Sequence, residues 1–200
     1  MRKRAAASRD MRERILTATM QLHDIKGVAP TTIADIARHA GVGQATVYRH
    51  FPTVGRLVEA CGRHVWEEMR PLTPHQAASA FHDLNDPRQR ITRLVEIIDA
   101  FYARGALRLG LASRDRDLVP ELDGFLKAVE AGVDAHVAEA LRPGEPQPRT
   151  LDIVRALLSF PVWSSFRDRG LAGDTALMVG IINCAMNAAG PGDRPRGRSA

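Results

Sequence analysis

The chain has 200 residues, 44% of them apolar, and a formal net charge of +5 at pH 7. This length and composition suffice for one sizeable hydrophobic core or two small coupled ones, which indicates a compact protein. No stretch approaches the run of about 20 apolar residues that a membrane-spanning helix needs, and we expect no signal peptide, no anchor and no membrane partner.

The amino-terminal elements are a basic segment and an amphipathic helix. Residues 1–8 are basic and small and lack an apolar stripe, which predicts a flexible arm. From about Arg9 to Lys26 an apolar residue recurs every three or four positions, which is typical of a helix with one buried face. We expect this helix to pack across the two that follow.

Two short helices joined by a glycine turn are predicted between residues 31 and 51. Thr32 with Asp35 three residues later is a short-acid version of the capping box, so a helix begins there. Its apolar stripe ends at Gly41, whose positive φ stops the helix. The stripe consists of Ile33, Ile36, Ala37 and Ala40. In the second helix Val47 and Phe51 face inward, which leaves its other sides exposed.

The exposed sides of the second helix carry amide, hydroxyl, phenol and guanidinium groups. Such groups hydrogen-bond base edges and phosphate oxygens in the major groove of DNA. The residues on these sides of the helix are Gln44, Ala45, Thr46, Tyr48 and Arg49. The two helices are therefore predicted to form a DNA-reading helix-turn-helix, the alternative being a plain helical hairpin whose polar face is only solvated.

The distribution of charge favours DNA binding over that alternative. Residues 1–70 contain 12 Lys and Arg against 7 Asp and Glu, whereas residues 71–200 contain 16 of each kind. All of the excess positive charge thus lies with the helix pair, as expected for a protein with one nucleic-acid-facing end.

The rest of the chain also has a helical pattern. A fourth helix opens at Thr53 and ends before Pro71, and residues 71–86 are predicted to be a loop with a helical turn. Helices resume at Pro87 and at Pro120. Between them the segment 105–119 is expected to be short and interrupted. Since no β-alternation is present, we predict an all-α fold.

The last two predicted helices are apolar around most of their circumference, and Pro161 predicts a kink near Phe160. One core cannot cover so much apolar surface, so we expect the same helices of a second copy to pack against it as a four-helix bundle. The predicted homodimer interface consists of Leu158, Val162, Phe166, Leu177, Ile181, Ile182 and Met186.

A specific motif pattern runs through residues 10–57: the Thr31-Thr32 cap, the core from Ile36 to Val42, and the run Thr46-Val47-Tyr48-Arg49-His50-Phe51 with Leu57 after it. These residues resemble the tetracycline-repressor (TetR) family of bacterial transcription regulators. The resemblance implies a helix-turn-helix DNA-binding domain in residues 9–56 and a helical ligand-binding and dimerisation domain in residues 57–189. A basic arm over residues 1–8 and a tail over residues 190–200 complete the predicted organisation.

The resemblance also implies roles for single residues. Side chains that hold phosphates or bases are Thr32, Thr46, Tyr48 and His50, while Gln44 and Arg49 vary with operator sequence. The whole predicted DNA-binding set is Thr31, Thr32, Gly43, Gln44, Ala45, Thr46, Tyr48, Arg49, His50 and Thr53. Gly43 and Ala45 depart from the family pattern, and Val54 stands where members usually carry a phosphate-binding lysine. Arg56 or the amino-terminal arm is the expected substitute.

The implied function is a cytoplasmic repressor that binds a palindromic operator in double-stranded DNA as a homodimer and is released by a small molecule. The alternatives are an activator and a helix-turn-helix protein without a ligand. Large side chains that are expected to converge around the ligand are Trp66, Met69, Phe101, Tyr102, Phe125 and Trp163. The competing interpretation is that these side chains simply fill the core.

Other classes of protein fit the sequence poorly. Nucleophile elbows, phosphate-binding glycine loops and nucleotide fingerprints are lacking, so we predict neither an enzyme nor a bound cofactor. Cys61, His64 and Glu68 lie at helical spacing, but a closed metal site needs a fourth ligand, and we predict no metal. Two cysteines are too few for a disulfide framework, which fits a reducing cytoplasm.

Overall fold

The computed structural model describes residues 2–70, 72–171 and 173–188, with side chains from residue 4 onward, and within these ranges its regular structure is entirely helical. This confirms the predicted all-α fold. In chain order the helices are α1 (Arg2–Lys26), α2 (Ile33–Ala40), α3 (Gln44–His50), α4 (Val54–Met69), α5 (Pro74–Ala80), α6 (Pro87–Asp115), α7 (Pro120–Leu141), α8 (Pro148–Leu157), α9 (Phe160–Asp168) and α10 (Thr175–Ala188). A 3₁₀ turn, Arg142–Gly144, precedes α8. In the described ranges no helix combines the length and the apolar composition that crossing a bilayer would require.

The described helices fall into two compact units. The first contains residues 2–70 and 103–129, and the second contains residues 72–102 and 130–188. Helices α6 and α7 each contribute one part to each unit. The first unit is therefore built from two stretches that are separated in sequence.

The core of the first unit joins the helix-turn-helix to its neighbours. Ile15 and Leu16 of α1 pack with the apolar stripe of α2, with Val47 and Phe51, and with Leu57 of α4. Helix α1 begins at Arg2 rather than near Arg9, so residues 2–8 are helical where we expected a flexible arm. The run of alanines at residues 5–7 explains the difference, because alanine favours helix extension even without a buried stripe.

A buried carboxylate ties the turn after α1 to the end of α6. Asp115 accepts hydrogen bonds from the backbone N–H groups of Val28 and Ala29, at 2.8 and 3.0 Å, and from Arg114. Only 3% of Asp115 is exposed. The hydrogen bond from Arg114, with those from the two N–H groups, lowers the pKa of Asp115, so the carboxylate stays charged in this turn.

Two junctions differ from the sequence prediction. Helix α6 runs without interruption through Gly105 to Asp115, and the side chain of Met69 occupies the space that a Cβ at residue 105 would need. Near Pro161 the helix breaks rather than kinks. Helix α8 ends at Leu157 and α9 starts after the N-cap Ser159, which places Pro161 in the first turn, where its missing N–H costs nothing.

The second unit is organised around a buried arginine and an aromatic cluster. Arg90 is 5% exposed and donates hydrogen bonds to four backbone carbonyls, which belong to Phe81, Leu84, Glu139 and Ala140. Since each donor of a buried guanidinium needs an acceptor, these carbonyls allow Arg90 to lie in the core. The predicted tail, residues 190–200, lies outside the described residues.

Candidate functional site

The helix-turn-helix holds its second helix by caps and buried anchors. Thr32 Oγ1 accepts a hydrogen bond from the backbone N–H of Asp35 at 3.2 Å, and the carboxylate of Asp35 accepts from the N–H of Thr32 at 3.4 Å. Gly41 ends α2 with φ 64°. These observations confirm the predicted capping box and turn. Val47 and Phe51, at 0% and 1% exposure, anchor α3 from below.

Helix α3 presents a polar face that is open to solvent. Gln44, Ala45, Tyr48 and Arg49 are exposed, as is the preceding Gly43, while Thr46 and His50 are half-buried. Arg49 makes no ion pair within the described residues. A face with an amide, a phenol and a free guanidinium on a firmly anchored helix is suited to hydrogen-bonding base edges and phosphates.

The three threonines that are predicted to contact DNA form hydrogen bonds within the turns of the chain. Thr31 donates its hydroxyl to the carbonyl of Gly27 at 2.7 Å, and Thr32 donates to Asp35 at 2.7 Å. Thr53 Oγ1 accepts from the N–H of Arg56 at 3.1 Å and so caps α4. These hydroxyls fix the starts of the helices. Their remaining lone pairs can accept a hydrogen bond from another partner.

Cations around the helix pair are partly committed to carboxylates. Lys26 Nζ lies 2.6 Å from Asp35, which Arg38 also contacts. The hydrogen bonds from Lys26 and Thr32 hold the pKa of Asp35 far below its usual range. Arg56 pairs with Glu59 at 3.1 Å. Val54 is 49% exposed at the start of α4, so the position where the resemblance implies a phosphate-binding lysine presents an apolar side chain to solvent.

A cavity of about 430 Å³ lies in the first unit, with walls from α1, α4, the 103–115 part of α6 and the 120–129 part of α7. Trp66 and Phe125 form an edge-to-face pair across one wall, with ring centroids 5.9 Å apart. Small residues leave the space open. The apolar and small lining residues include Met20, Val58, Cys61, Gly62, Val65, Leu111, Ala112 and Leu122.

Polar groups line a smaller part of this cavity. Arg108 of α6 binds Asp24 of α1, with Nε 3.2 Å from Oδ1, and contacts Glu68 of α4. His23 of α1 also lines the cavity, and burial lowers its pKa to about 4, so its imidazole is neutral at pH 7. The cavity therefore borders both α1 and α4, the helices that flank the helix-turn-helix.

The structure divides the six residues of the predicted ligand set. Trp66 and Phe125 line the cavity, whereas Met69 is buried in the same unit against Gly105 and is absent from the lining. Phe101, Tyr102 and Trp163 belong to the second unit, where Tyr102 packs 5.6 Å from each of the other two rings. The lining residues His23, Asp24 and Arg108 were not predicted, because nothing in the sequence brings α1 opposite α6.

The aromatic cluster of the second unit leaves little space. Tyr102 donates its hydroxyl to the carbonyl of Leu158 at 3.1 Å, and Trp163 Nε1 donates to Asp99 at 2.8 Å. The cavity beside Trp163 has a volume of about 30 Å³. Both polar ends are satisfied within the chain, and the rings pack on one another.

The residues of the predicted dimer interface differ in exposure. Leu158 and Ile182 are buried, at 4% and 0%, and pack inside the second unit. Val162, Phe166, Ile181 and Met186 are half-buried, and Leu177 is 38% exposed. Five of the seven side chains thus retain apolar surface in the single chain.

The three residues weighed as metal ligands form no such site. Cys61 is 4% exposed, and burial raises the pKa of its thiol to about 12. His64 pairs with Glu68 at 3.2 Å. Within the described residues, no group of three or more His, Cys, Asp or Glu side chains is placed to hold a metal ion.

Comparisons with known proteins agree on one family. The model described as bacterial regulatory proteins, tetR family, matches residues 15–61. The transcriptional repressor KstR of Mycobacterium tuberculosis is 30% identical over 80% of this chain and 70% of its own length, and KstR of Mycolicibacterium smegmatis is 29% identical over 80% and 76%. A solved tetR family transcription regulator from Shewanella sp. PV-4 has a TM-score of 0.58 at 20% identity, covering 90% of this chain and 97% of that one, which shows likeness of fold.

Proposed function

The chain belongs to the TetR family of bacterial transcription regulators, and on that premise we propose that it binds a palindromic operator as a homodimer and leaves the DNA when a small molecule binds. Its relatives are named transcriptional repressors and regulators, so its role is regulation of transcription rather than catalysis. We place this role in the cytoplasm, where DNA and small-molecule effectors meet in a bacterium.

The observation that carries the proposal is the exposed polar face of α3. Gln44, Tyr48 and Arg49 project from a helix whose opposite side is anchored by Val47 and Phe51. In this proposal Gln44 and Arg49 read base edges, while Tyr48 and His50 contact phosphates together with the residues of the preceding turns. The excess positive charge of residues 1–70 supports the same orientation toward DNA.

The proposed homodimer is supported by the apolar surface left on the last helices. Half-buried and exposed side chains of α9 and α10, such as Phe166 and Leu177, offer a face that a second copy would cover. We propose that residues 57–189 provide dimerisation and ligand binding, and residues 9–56 provide DNA binding. Two recognition helices roughly 34–36 Å apart would then read the two halves of a palindrome.

Release by a small molecule is supported by the position of the cavity. Its walls include α1, which packs on the helix-turn-helix, and α4, which follows the recognition helix. A ligand that prefers a different spacing of these walls would shift the protein toward a form with low DNA affinity. Because the mycobacterial relatives are named repressors, we propose repression rather than activation.

Selection of bound sequences from random duplex DNA by the purified chain, with its mass in solution measured alongside, tests the proposal. Enrichment of a palindrome by a dimer is the expected result. A monomer, or a failure to enrich any sequence, would contradict the proposal.

Substitutions on α3 separate base reading from phosphate binding. Arg49→Ala or Gln44→Ala should change which base is preferred at one position of each half-site, by about 1–3 kcal/mol. Tyr48→Phe and His50→Ala should instead weaken binding to all sequences alike. Competition binding with operator variants distinguishes the two patterns, and a uniform loss for Arg49→Ala would assign that side chain to phosphate.

A further inference from the structure

The cavity of the first unit has a wall composition that restricts its ligand. Its volume of about 430 Å³ falls in the range of about 300–1,000 Å³ that is usual for small-molecule sites. Most of the wall is aliphatic or aromatic, and the edge-to-face pair of Trp66 and Phe125 offers ring surfaces. Such a wall favours a molecule that is apolar over most of its surface.

Charged groups of the wall are mostly neutralised by one another. Arg108 is shared between Asp24 and Glu68, which lie on α1 and α4. Glu59 pairs with Arg56. An ionised ligand group placed deep in the cavity would thus lose its hydration without gaining a free counter-charge, which is costly.

Two further charged side chains belong to the lining. Arg63 is exposed and makes no ion pair within the described ranges. Glu121 packs against the first turn of α4, in the space that a Cβ at Gly55 would need. These two charges are opposite in sign and offset each other. Together with the ion-paired groups, the wall carries one more carboxylate than cation, so it does not attract an anion.

His23 supplies an uncharged polar group at the cavity. The imidazole of His23 makes no hydrogen bond to any described side chain or backbone group, and burial keeps it neutral at pH 7. A neutral imidazole offers one donor and one acceptor. It can therefore bind a hydroxyl, carbonyl or N–H of a ligand without requiring the ligand to be charged.

We propose that this cavity binds an uncharged, predominantly apolar molecule with one hydrogen-bonding group directed at His23. The inference rests on the ligand response proposed above and names the chemical class of the ligand. Arg108 joins α6 to both α1 and α4 at the cavity through ion pairs. A ligand that fills the cavity therefore alters the distances between these helices.

Two fluorescent probes with the same ring system test the charge preference. N-phenyl-1-naphthylamine is neutral, and 1-anilinonaphthalene-8-sulfonate adds a sulfonate to the same anilinonaphthalene. The full-length protein should bind the neutral probe, with a rise in probe fluorescence, and bind the sulfonate about tenfold or more weakly. Equal affinity for the two probes would overturn the proposal, because the site would then accept an anion.

A pair of glycine substitutions tests the location. A Cβ at Gly62 would meet only Phe125, at an ordinary contact distance of 3.8 Å, so the Cβ of Gly62→Leu fits and the larger side chain should occupy part of the cavity. Gly110 is exposed on α6 with nothing within 4 Å, which makes Gly110→Leu the matched control. Helix propensity favours leucine at both positions, so both variants should fold.

Gly62→Leu should lose about tenfold or more in affinity for the neutral probe, whereas Gly110→Leu should stay within about twofold of the parent. Unchanged binding by Gly62→Leu would overturn the proposal by placing the probe elsewhere. Operator binding is measured separately. Enrichment of a palindrome without probe binding overturns only this inference, and probe binding without DNA release supports it while contradicting the proposed ligand response.

Discussion

Two aromatic groups of similar composition have opposite packing in this molecule. In the first unit Trp66 and Phe125 border a cavity of about 430 Å³. In the second unit the rings of Phe101, Tyr102 and Trp163 pack on one another, and the cavity beside Trp163 has a volume of about 30 Å³. The difference comes from the neighbours. Gly62 and Ala112 leave room beside the first pair, whereas the second group adds further rings and satisfies its polar ends internally.

The largest difference in stability between the two aromatic groups is expected when one phenylalanine of each is replaced by alanine. Phe101→Ala removes a side chain with 0% exposure and should lower the free energy of unfolding by about 3–5 kcal/mol. Phe125→Ala removes a half-buried ring beside empty space and should cost about 1–2 kcal/mol. Urea unfolding at one protein concentration measures both. Equal losses would show that the cavity is closed in solution.

Acid should act on the wall of the cavity through His23. Because its pKa falls from about 6.5 to about 4 on folding, the unfolded chain binds the extra proton between these values. Stability is thus complete above pH 6.5 and decreases toward pH 4, by about 2 kcal/mol after allowance for partial exposure. The variant His23→Gln should lack this contribution in urea unfolding measured at several pH values.

The control for that experiment lies in the second unit. Burial also lowers the pKa of His136, whose Nδ1 lies 2.8 Å from the carbonyl of Gly132, so the parent chain carries contributions of the same sign from both units. His23→Gln should leave the contribution of His136 in place. An unaltered pH dependence in His23→Gln would mean that the cavity wall is hydrated and that His23 is not buried in solution.

The smallest expected effect concerns the phenol of the packed cluster. Tyr102→Phe removes the hydrogen bond to the carbonyl of Leu158 and should cost about 1 kcal/mol. The chain has two tyrosines, and the other, Tyr48, is 46% exposed on α3, so Tyr48→Phe is a matched control that should leave stability unchanged. Thermal unfolding of the two variants compares them directly, and equal stability would contradict the buried bond.

Local sequence signals were sufficient for the helix-turn-helix. The cap at Thr32, the positive φ of Gly41 and the anchors Val47 and Phe51 each act within a few residues, so spacing alone predicted them. The same holds for the fourth helix, whose N-cap Thr53 and end before Pro71 match the prediction. Short-range hydrogen bonds and periodicity determine these features.

Features that depend on distant residues were not predictable in this way. Gly105 interrupts the apolar pattern of α6, yet the helix continues, and Met69, 36 positions earlier in the chain, packs against this glycine. The expected ligand set combined residues of two units, since large side chains look alike whether they border a cavity or fill a core. Leu158 and Ile182 likewise have the same pattern as the more exposed members of the predicted interface.

The carboxylate of Asp115 has a consequence for biosynthesis. In the turn after α1, the backbone N–H groups of Ala29 and Val28 donate to this carboxylate, which lies 86 and 87 positions later in the chain, respectively. While the protein is being made, the amino-terminal helices emerge from the ribosome long before their partners in residues 103–129 exist. Complete assembly of the DNA-reading unit therefore waits for the middle of the chain, and a fragment that stops at residue 70 lacks both the carboxylate and the opposite wall of the cavity.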